Sequence, residues 1–192
     1  VLLTSSLSSP TVENENYHAS VEHLKNCLRI EVMKSDKEFS WLKTIHKVLK
    51  CPDRRFYFWW RIANYFYLNN KYKKHAVNFN RKLRNRYGLH IKLGAQIGEG
   101  LRIAHYVGIV IAECSVIGKN FYIKQNVTIG IRHLDQAGKI YIGDNVEVGA
   151  NSCIIGDNLR IGDNVVIGAM TFVNKDVPAG SVVYNRKELH YL

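Results

Sequence analysis

His105 is the side chain whose type and setting most invite chemistry. It lies in the segment Leu101-Arg102-Ile103-Ala104-His105-Tyr106-Val107-Gly108-Ile109-Val110-Ile111. Imidazole titrates near neutral pH, so a histidine can take the proton of a hydroxyl while that hydroxyl attacks an acyl carbon. The plainer reading is a histidine tolerated on an exterior surface. The residue alone does not separate the two. No cysteine or serine stands beside His105 as a nucleophile. Cys27, Cys51, Cys114 and Cys153 have neither metal nor redox spacing, there is no metal-ligand cluster, and no P-loop is found. Chemistry here is therefore expected to need no metal, and the thiols are expected to be reduced, as in the cytoplasm.

What would position His105 is a repeat running from Ile91 to Pro178. Branched aliphatics, usually followed by a small residue, recur every six positions: Ile97-Gly98, Ile103-Ala104, Ile111-Ala112, Ile117-Gly118, Ile123-Lys124 and Ile129-Gly130. After a break come Ile142-Gly143, Val148-Gly149, Ile161-Gly162, Ile167-Gly168 and Val173-Asn174. Four positions on from most of them stands another small or apolar side chain, among them Leu101, Val107, Ser115, Phe121, Val127 and Ser152. An α-helix turns every 3.6 residues and cannot hold one face apolar at this period. A β-helix can, with each hexad forming one flat side, the aliphatic pointing inward and the small residue making the corner. The spacing is eight between Ile103 and Ile111, where His105 stands, and thirteen both between Ile129 and Ile142 and between Val148 and Ile161. The polar residues 131–139 in the first of these longer gaps read as a loop thrown out from a corner, where binding often sits.

These hexads resemble those of the hexapeptide-repeat acyltransferases, and the resemblance implies a left-handed parallel β-helix. The expected fold is mainly β: a β-helix over residues 90–183, preceded by a small α-helical region over 12–89 and followed by a tail over 184–192. The segment around His105, with Gly108-Ile109-Val110, is similar to the one carrying the catalytic histidine of serine acetyltransferases and of related capsule and exopolysaccharide acetyltransferases. The resemblance therefore implies His105 as general base, transfer of acetyl directly from acetyl-CoA to a hydroxyl, and a homotrimer with acetyl-CoA between adjacent β-helices. Its pantetheine arm would run past Gly130, Gly149, Ala150, Gly168 and Ala169, with Arg186 and Lys187 near the phosphates. The fold by itself also asks for small residues at such corners, and Arg186 and Lys187 also fit a solvated tail.

Serine acetyltransferases have aspartates fifteen residues before the histidine and just before it; here those positions are His90 and Ala104. Their second histidine, after the extended loop, has no counterpart in Asp135-Gln136-Ala137-Gly138-Lys139-Ile140, since His133 lies earlier. Glu113 does match a carboxylate eight residues after the histidine. Candidates for orienting His105 or touching substrate are therefore His90, Glu113, His133 and the adjacent Tyr106. The departures turn the expected acceptor from L-serine toward a sugar hydroxyl of a capsule, O-antigen or exopolysaccharide, or of its precursor. Serine O-acetylation is the near alternative. A trimeric scaffold that binds an anionic polymer or membrane without catalysis is the alternative of another class.

Net charge is +11. Residues 1–90 carry 17 Lys and Arg against 7 Asp and Glu, whereas residues 91–192 carry 10 against 9. The basic charge thus belongs to the helical region, and it suits an acidic polymer or membrane surface. No nucleic-acid-binding signature accompanies it. Residues 1–11 are Ser- and Thr-rich and expected to be disordered. Val1-Leu2-Leu3 is too short for a signal-peptide core, and no apolar run reaches the length of a membrane span. The expected location is the cytoplasm, at or near the inner face of the membrane.

Helical spacing places Val21, Leu24, Leu28 and Val32 on one face of a helix over residues 12–35, and Met33 is a candidate native start that would make residues 1–32 an extension. Phe39, Leu42, Ile45 and Leu49 fall on one face of a helix from about Glu38. Pro52 opens a third helix, aromatic nearly all round from Arg54 to Tyr67. It reads either as core or, with the following basic helix Tyr72 to Tyr87, as a lipid-interface segment over 54–87. Gly88 is a natural stop for that last helix.

Overall fold

The computed structural model describes residues 20–133 and 138–186. Residues 1–11, the tip 134–137 of the polar loop and Lys187, for which expectations are given above, lie outside them. Helix α1 (Val21–Leu28) starts where the Ser20 hydroxyl accepts from His23 N–H at 3.0 Å, an N-cap that satisfies an otherwise orphaned donor. A π-helical turn (Arg29–Met33) continues it and buries Glu31, Val32 and Met33. Residues 24–33 are therefore part of the packed structure rather than an extension ahead of Met33. Helix α2 (Trp41–Lys50) is capped by Ser40. A 3₁₀ turn (Pro52–Arg54) leads into α3 (Arg55–Leu68). Helix α4 (Lys73–Tyr87) stops at Gly88, whose φ of 66° is costly for other residues and whose N–H donates to Arg84 O.

The chain then winds as a β-helix of short parallel strands in three sheets. The first face holds His90–Ile91, Val110–Ile111, Thr128–Gly130, Cys153–Ile155 and Phe172–Val173. On the second lie Gln96–Ile97, Ser115–Ile117, Ile140–Ile142 and Leu159–Ile161. The third comprises Arg102–Ile103, Tyr122–Ile123, Glu147–Val148, Val166–Ile167 and Val182–Val183. Equivalent side chains stack coil on coil: Ile111 on Ile129, Ile129 on Ile154, Ile154 on Val173. All four are buried. The small residues after the aliphatics are there because successive corners nearly touch: a Cβ added to Gly118 would lie 2.7 Å from the Gly143 carbonyl carbon.

The structure shows where the irregular spacings are taken up. Val107, four positions on from Ile103, is 65% exposed, and Ile109 is the buried side chain of that corner. The eight-residue spacing is absorbed entirely at the corner, so the strand restarts two residues late. The gap from Val148 to Ile161 contains a regular hexad, because the buried Ile154 keeps the six-residue step. The extra residue falls between Ile154 and Ile161.

Helix α3 plugs the first coil, whose strand edges would otherwise present unpaired backbone groups. Trp60 Nε1 donates to Ile91 O at 3.1 Å and Asn64 Nδ2 to Ala95 O at 2.9 Å. Arg61 donates to Ile97 O at 2.6 Å and Gly98 O at 2.7 Å, and also to both oxygens of the buried Glu31 carboxylate, at 2.6 and 3.0 Å. Glu31 Oε1 in turn accepts from Gly100 and Leu101 N–H. Core is thus the role of the aromatic helix: Phe56 and Trp60 join the β-helix core, and Phe58 packs with Leu24, Leu28, Val32 and Val48. Its all-round apolar character follows from being covered on both sides. The basic residues Lys73, Lys74, Arg81, Lys82, Arg84 and Arg86 of α4 all face solvent. The apolar stripe of α2 does not pack as the spacing implied. Thr44 and Val48 are buried, whereas Leu42, Ile45 and Leu49 are exposed.

Candidate active site

His105 occupies the corner between the third and first faces. Other corners on this edge are tight, as from Ile123 to Val127. Here the buried residues at either end, Leu101 and Ile109, are separated by two extra residues, and the chain bulges outward. The bulge is pinned on every side. Ala104 N–H donates to Ile123 O at 3.0 Å, Gly108 N–H to Gly88 O at 2.8 Å, and Val107 O accepts from Asn126 N–H at 2.9 Å. Gly108, at φ 72°, could not carry a Cβ without striking Asn126 Oδ1. The imidazole itself is exposed, and among the described residues no hydrogen bond or ion pair holds it.

The helices hold this corner from below. Ile103 N–H donates to the Tyr57 hydroxyl at 2.9 Å, and the Tyr106 hydroxyl donates to Asp53 O at 2.7 Å. The Tyr106 ring lies 5.5 Å from Phe56 and 5.4 Å from Tyr87, centroid to centroid. Burial drives the Tyr106 phenol far above the ordinary tyrosine range and raises that of Tyr57. Tyr106 is therefore a fixed, neutral anchor rather than a group free to meet substrate. Tyr57, Asp53, Phe56 and Tyr87 carried no sign of this role in the sequence, since the two hydrogen bonds span 46 and 53 residues.

The other candidate residues do not converge on His105 within one chain. His90 lies on the first face, where its N–H donates to Ile109 O at 2.7 Å and it pairs with Val110, the strand that leaves the His105 bulge. Burial, then Arg84 and Lys92, lower its pKa. Glu113 sits at the far end of that strand, on the edge between the first and second faces, and is exposed. His133 is on the same edge as Glu113. Its Nδ1 lies 3.0 Å from Asp157 Oδ2, and Asp157 Oδ1 accepts from Arg132 N–H at 3.1 Å. That pairing fixes the root of the 131–139 loop and holds the Asp157 carboxyl below its usual range. The β-helix thus leaves His90 on the first face and puts Glu113 and His133 on the edge away from His105.

The small residues divide likewise. Gly149, Ala150, Gly168 and Ala169 follow His105 along its own edge, coil after coil, and Asn185 Nδ2 donates to Met170 O at 3.3 Å, leading the chain to Arg186 there. Gly130 is on the other edge, beside the 131–139 loop. A Cβ at Gly149 would fall 2.5 Å from Ala169 N, so packing alone demands that glycine, whereas Gly130 has room for one. All four cysteines are free, and burial pushes the Cys27 thiol up to about 12. Among the described residues no three His, Cys, Asp or Glu side chains gather to hold a metal.

The fold is the left-handed parallel β-helix, preceded by a few helices, as in solved serine acetyltransferases. Isoform 3 from Entamoeba histolytica, solved with cysteine, superposes with a TM-score of 0.70 and 27% identity over 89% of this chain. The Neisseria gonorrhoeae enzyme in complex with serine gives 0.69 and 28% over 86%, and soybean serine acetyltransferase, as apoenzyme, 0.69 and 25% over 85%. The chain covers 60% of the Entamoeba protein's length, 68% of the Neisseria one and 67% of the soybean one. No family model and no curated protein matches the sequence.

Proposed function

We propose that this chain is an acetyl-CoA-dependent O-acetyltransferase in which His105 is the general base. The observation that carries the reading is the pinned, outward bulge that presents His105 alone on an edge of a fold shared with solved serine acetyltransferases. The acceptor hydroxyl attacks the thioester carbon, His105 takes the hydroxyl proton, and the carbon–sulfur bond breaks. The protonated imidazole then returns the proton to the departing CoA thiolate. No acyl-enzyme is needed. The CoA arm would run along the His105 edge, past Gly149, Ala150, Gly168 and Ala169, which follow His105 coil after coil.

For the acceptor, the structural likeness favours L-serine over the glycan expected from the sequence, since serine acetyltransferases from three organisms share the fold. One observation favours the second reading, a sugar hydroxyl: Ala104 and His90 stand where that family has aspartates, and nothing among the described residues replaces them beside His105. A homotrimer suits both readings. It would set the His105 edge of one copy beside the Glu113–His133 edge of the next, and the partly exposed Val110 and Phe172 of the first face would find cover.

The test is thiol release from acetyl-CoA by wild type and His105→Ala, with L-serine and with a panel of sugars and surface glycans. Release with either acceptor class, lost in the variant, supports the reading and names the acceptor. Release that survives His105→Ala would sink the assignment of the base. Absence of release together with absence of CoA binding by calorimetry would leave the non-catalytic scaffold.

A further inference from the structure

Helix α2 carries more apolar surface than the fold uses. At 3.6 residues per turn, Trp41, Ile45, Leu49 and Leu42 fall within one arc of roughly 100°. Thr44 and Val48, on the adjoining arc, supply its contacts with the interior. The outer arc is left uncovered: Leu42 is 82% and Leu49 70% exposed, with Trp41 and Ile45 also open to solvent. The opposite flank is basic. From Phe39 to Pro52 there are three lysines, Lys43, Lys47 and Lys50, together with His46, and no acidic residue. The nearest carboxylates, Asp36, Glu38 and Asp53, lie beyond the two ends of the helix. The hollow between this helix and Met33–Ser35, lined by Leu42, Lys43, His46 and Lys47, is basic as well, and an apolar arc flanked by unmatched lysines suits a plane with apolar depth and negative charge at its surface. Among the described residues no helix is long and apolar enough to cross a membrane, so contact would be at the surface.

We infer that α2 is a membrane-surface anchor that lays Leu42, Ile45, Leu49 and Trp41 into the interface of an anionic bilayer, with Lys43, Lys47 and Lys50 at the headgroups. This moves the lipid contact away from the aromatic helix, whose Phe56, Phe58 and Trp60 are buried in the core and which leaves only Trp59 among its rings exposed. It is independent of the acetyl-transfer reading.

The experiment is flotation of the full chain with phosphatidylcholine vesicles, with and without phosphatidylglycerol, and sedimentation of the same proteins without lipid. Wild type is expected to float with the anionic vesicles only, and less at high salt. Leu42→Asp with Leu49→Asp should lower that binding at least tenfold while leaving helix content and melting unchanged, because both side chains are already exposed. Lys43→Glu with Lys47→Glu should weaken it through charge alone. Wild type that stays off anionic vesicles overturns the inference, as does equal binding by the double leucine variant. So does a wild-type oligomer that the leucine variant dissociates, since the face would then be a contact between copies.

Discussion

The Tyr106 hydroxyl donates to the Asp53 carbonyl at 2.7 Å, and this one bond ties the residue beside His105 to the turn that opens the aromatic helix. Together with the bond from Ile103 N–H to Tyr57 on the other side of the bulge, it makes the helical region part of the site's support. The helices do not merely precede the β-helix: they brace the corner that bears His105.

Tyr106→Phe keeps the ring contacts and removes the hydroxyl. The loss should cost about 1 kcal/mol of stability and, if the anchor positions the base, should lower kcat with little change in KM for acetyl-CoA. Thermal unfolding and steady-state kinetics on the same preparation check both. An unchanged kcat with a lowered midpoint would make the bond purely structural.

His105→Ala should lower acetyl transfer by about 10²–10⁴-fold, the usual worth of a general base, with the fold untouched because the side chain is exposed. Circular dichroism and CoA binding should match wild type. A variant that no longer binds CoA would assign His105 to binding rather than proton transfer.

Glu31→Ala should destabilise by about 3–5 kcal/mol, because it strands the buried Arg61 charge. The paired change Glu31→Met with Arg61→Leu should not restore stability. The carbonyls of Ile97 and Gly98 and the N–H groups of Gly100 and Leu101 would still lose their partners. Urea denaturation of the two variants separates an ion-pair effect from this backbone effect.

His90 should titrate below the ordinary histidine value, since burial and then Arg84 and Lys92 disfavour its charged form. A pKa lower in the folded than in the unfolded chain means that the neutral group's contribution is fully present above the unfolded value, near 6.5. It is lost as the pH falls through the folded value. His90→Gln should flatten part of the decline in stability between neutral and mildly acidic pH, and its ring resonances should report the lowered pKa by NMR. A titration at or above the ordinary value would show that the strand edge is open to water at His90.

The repeat was legible because a β-helix is nearly a one-dimensional structure. Each hexad meets only its neighbours, so Ile111, Ile129 and Val173 could be placed inside from spacing alone. Spacing failed where the chain adds residues. Val107 and Ile109 compete for one inward place, and the winner is decided by where the two extra residues are expelled. The spacing equally could not show that Ile154 carries a hexad that its follower, Ile155, obscures. In the helices, periodicity found the stripe of α2 but not its direction, because Leu42 and Val48 look alike until a neighbour covers one of them.

The sequence by itself determined a hexapeptide β-helix, a basic helical region ahead of it, and His105 at the one short irregularity. These are local matters of period, composition and residue type. Tertiary structure alone decided that Ile103 and Tyr106, on either side of His105, are held by residues some fifty positions away. It also decided that His90, Glu113 and His133 are spread over a face and a separate edge, and that the aromatic helix is core while α2 faces outward. The physical reason is that a contact forms when winding and packing bring two surfaces together, and the linear spacing of residues records neither the corner at which the coil turns nor the neighbour that arrives there.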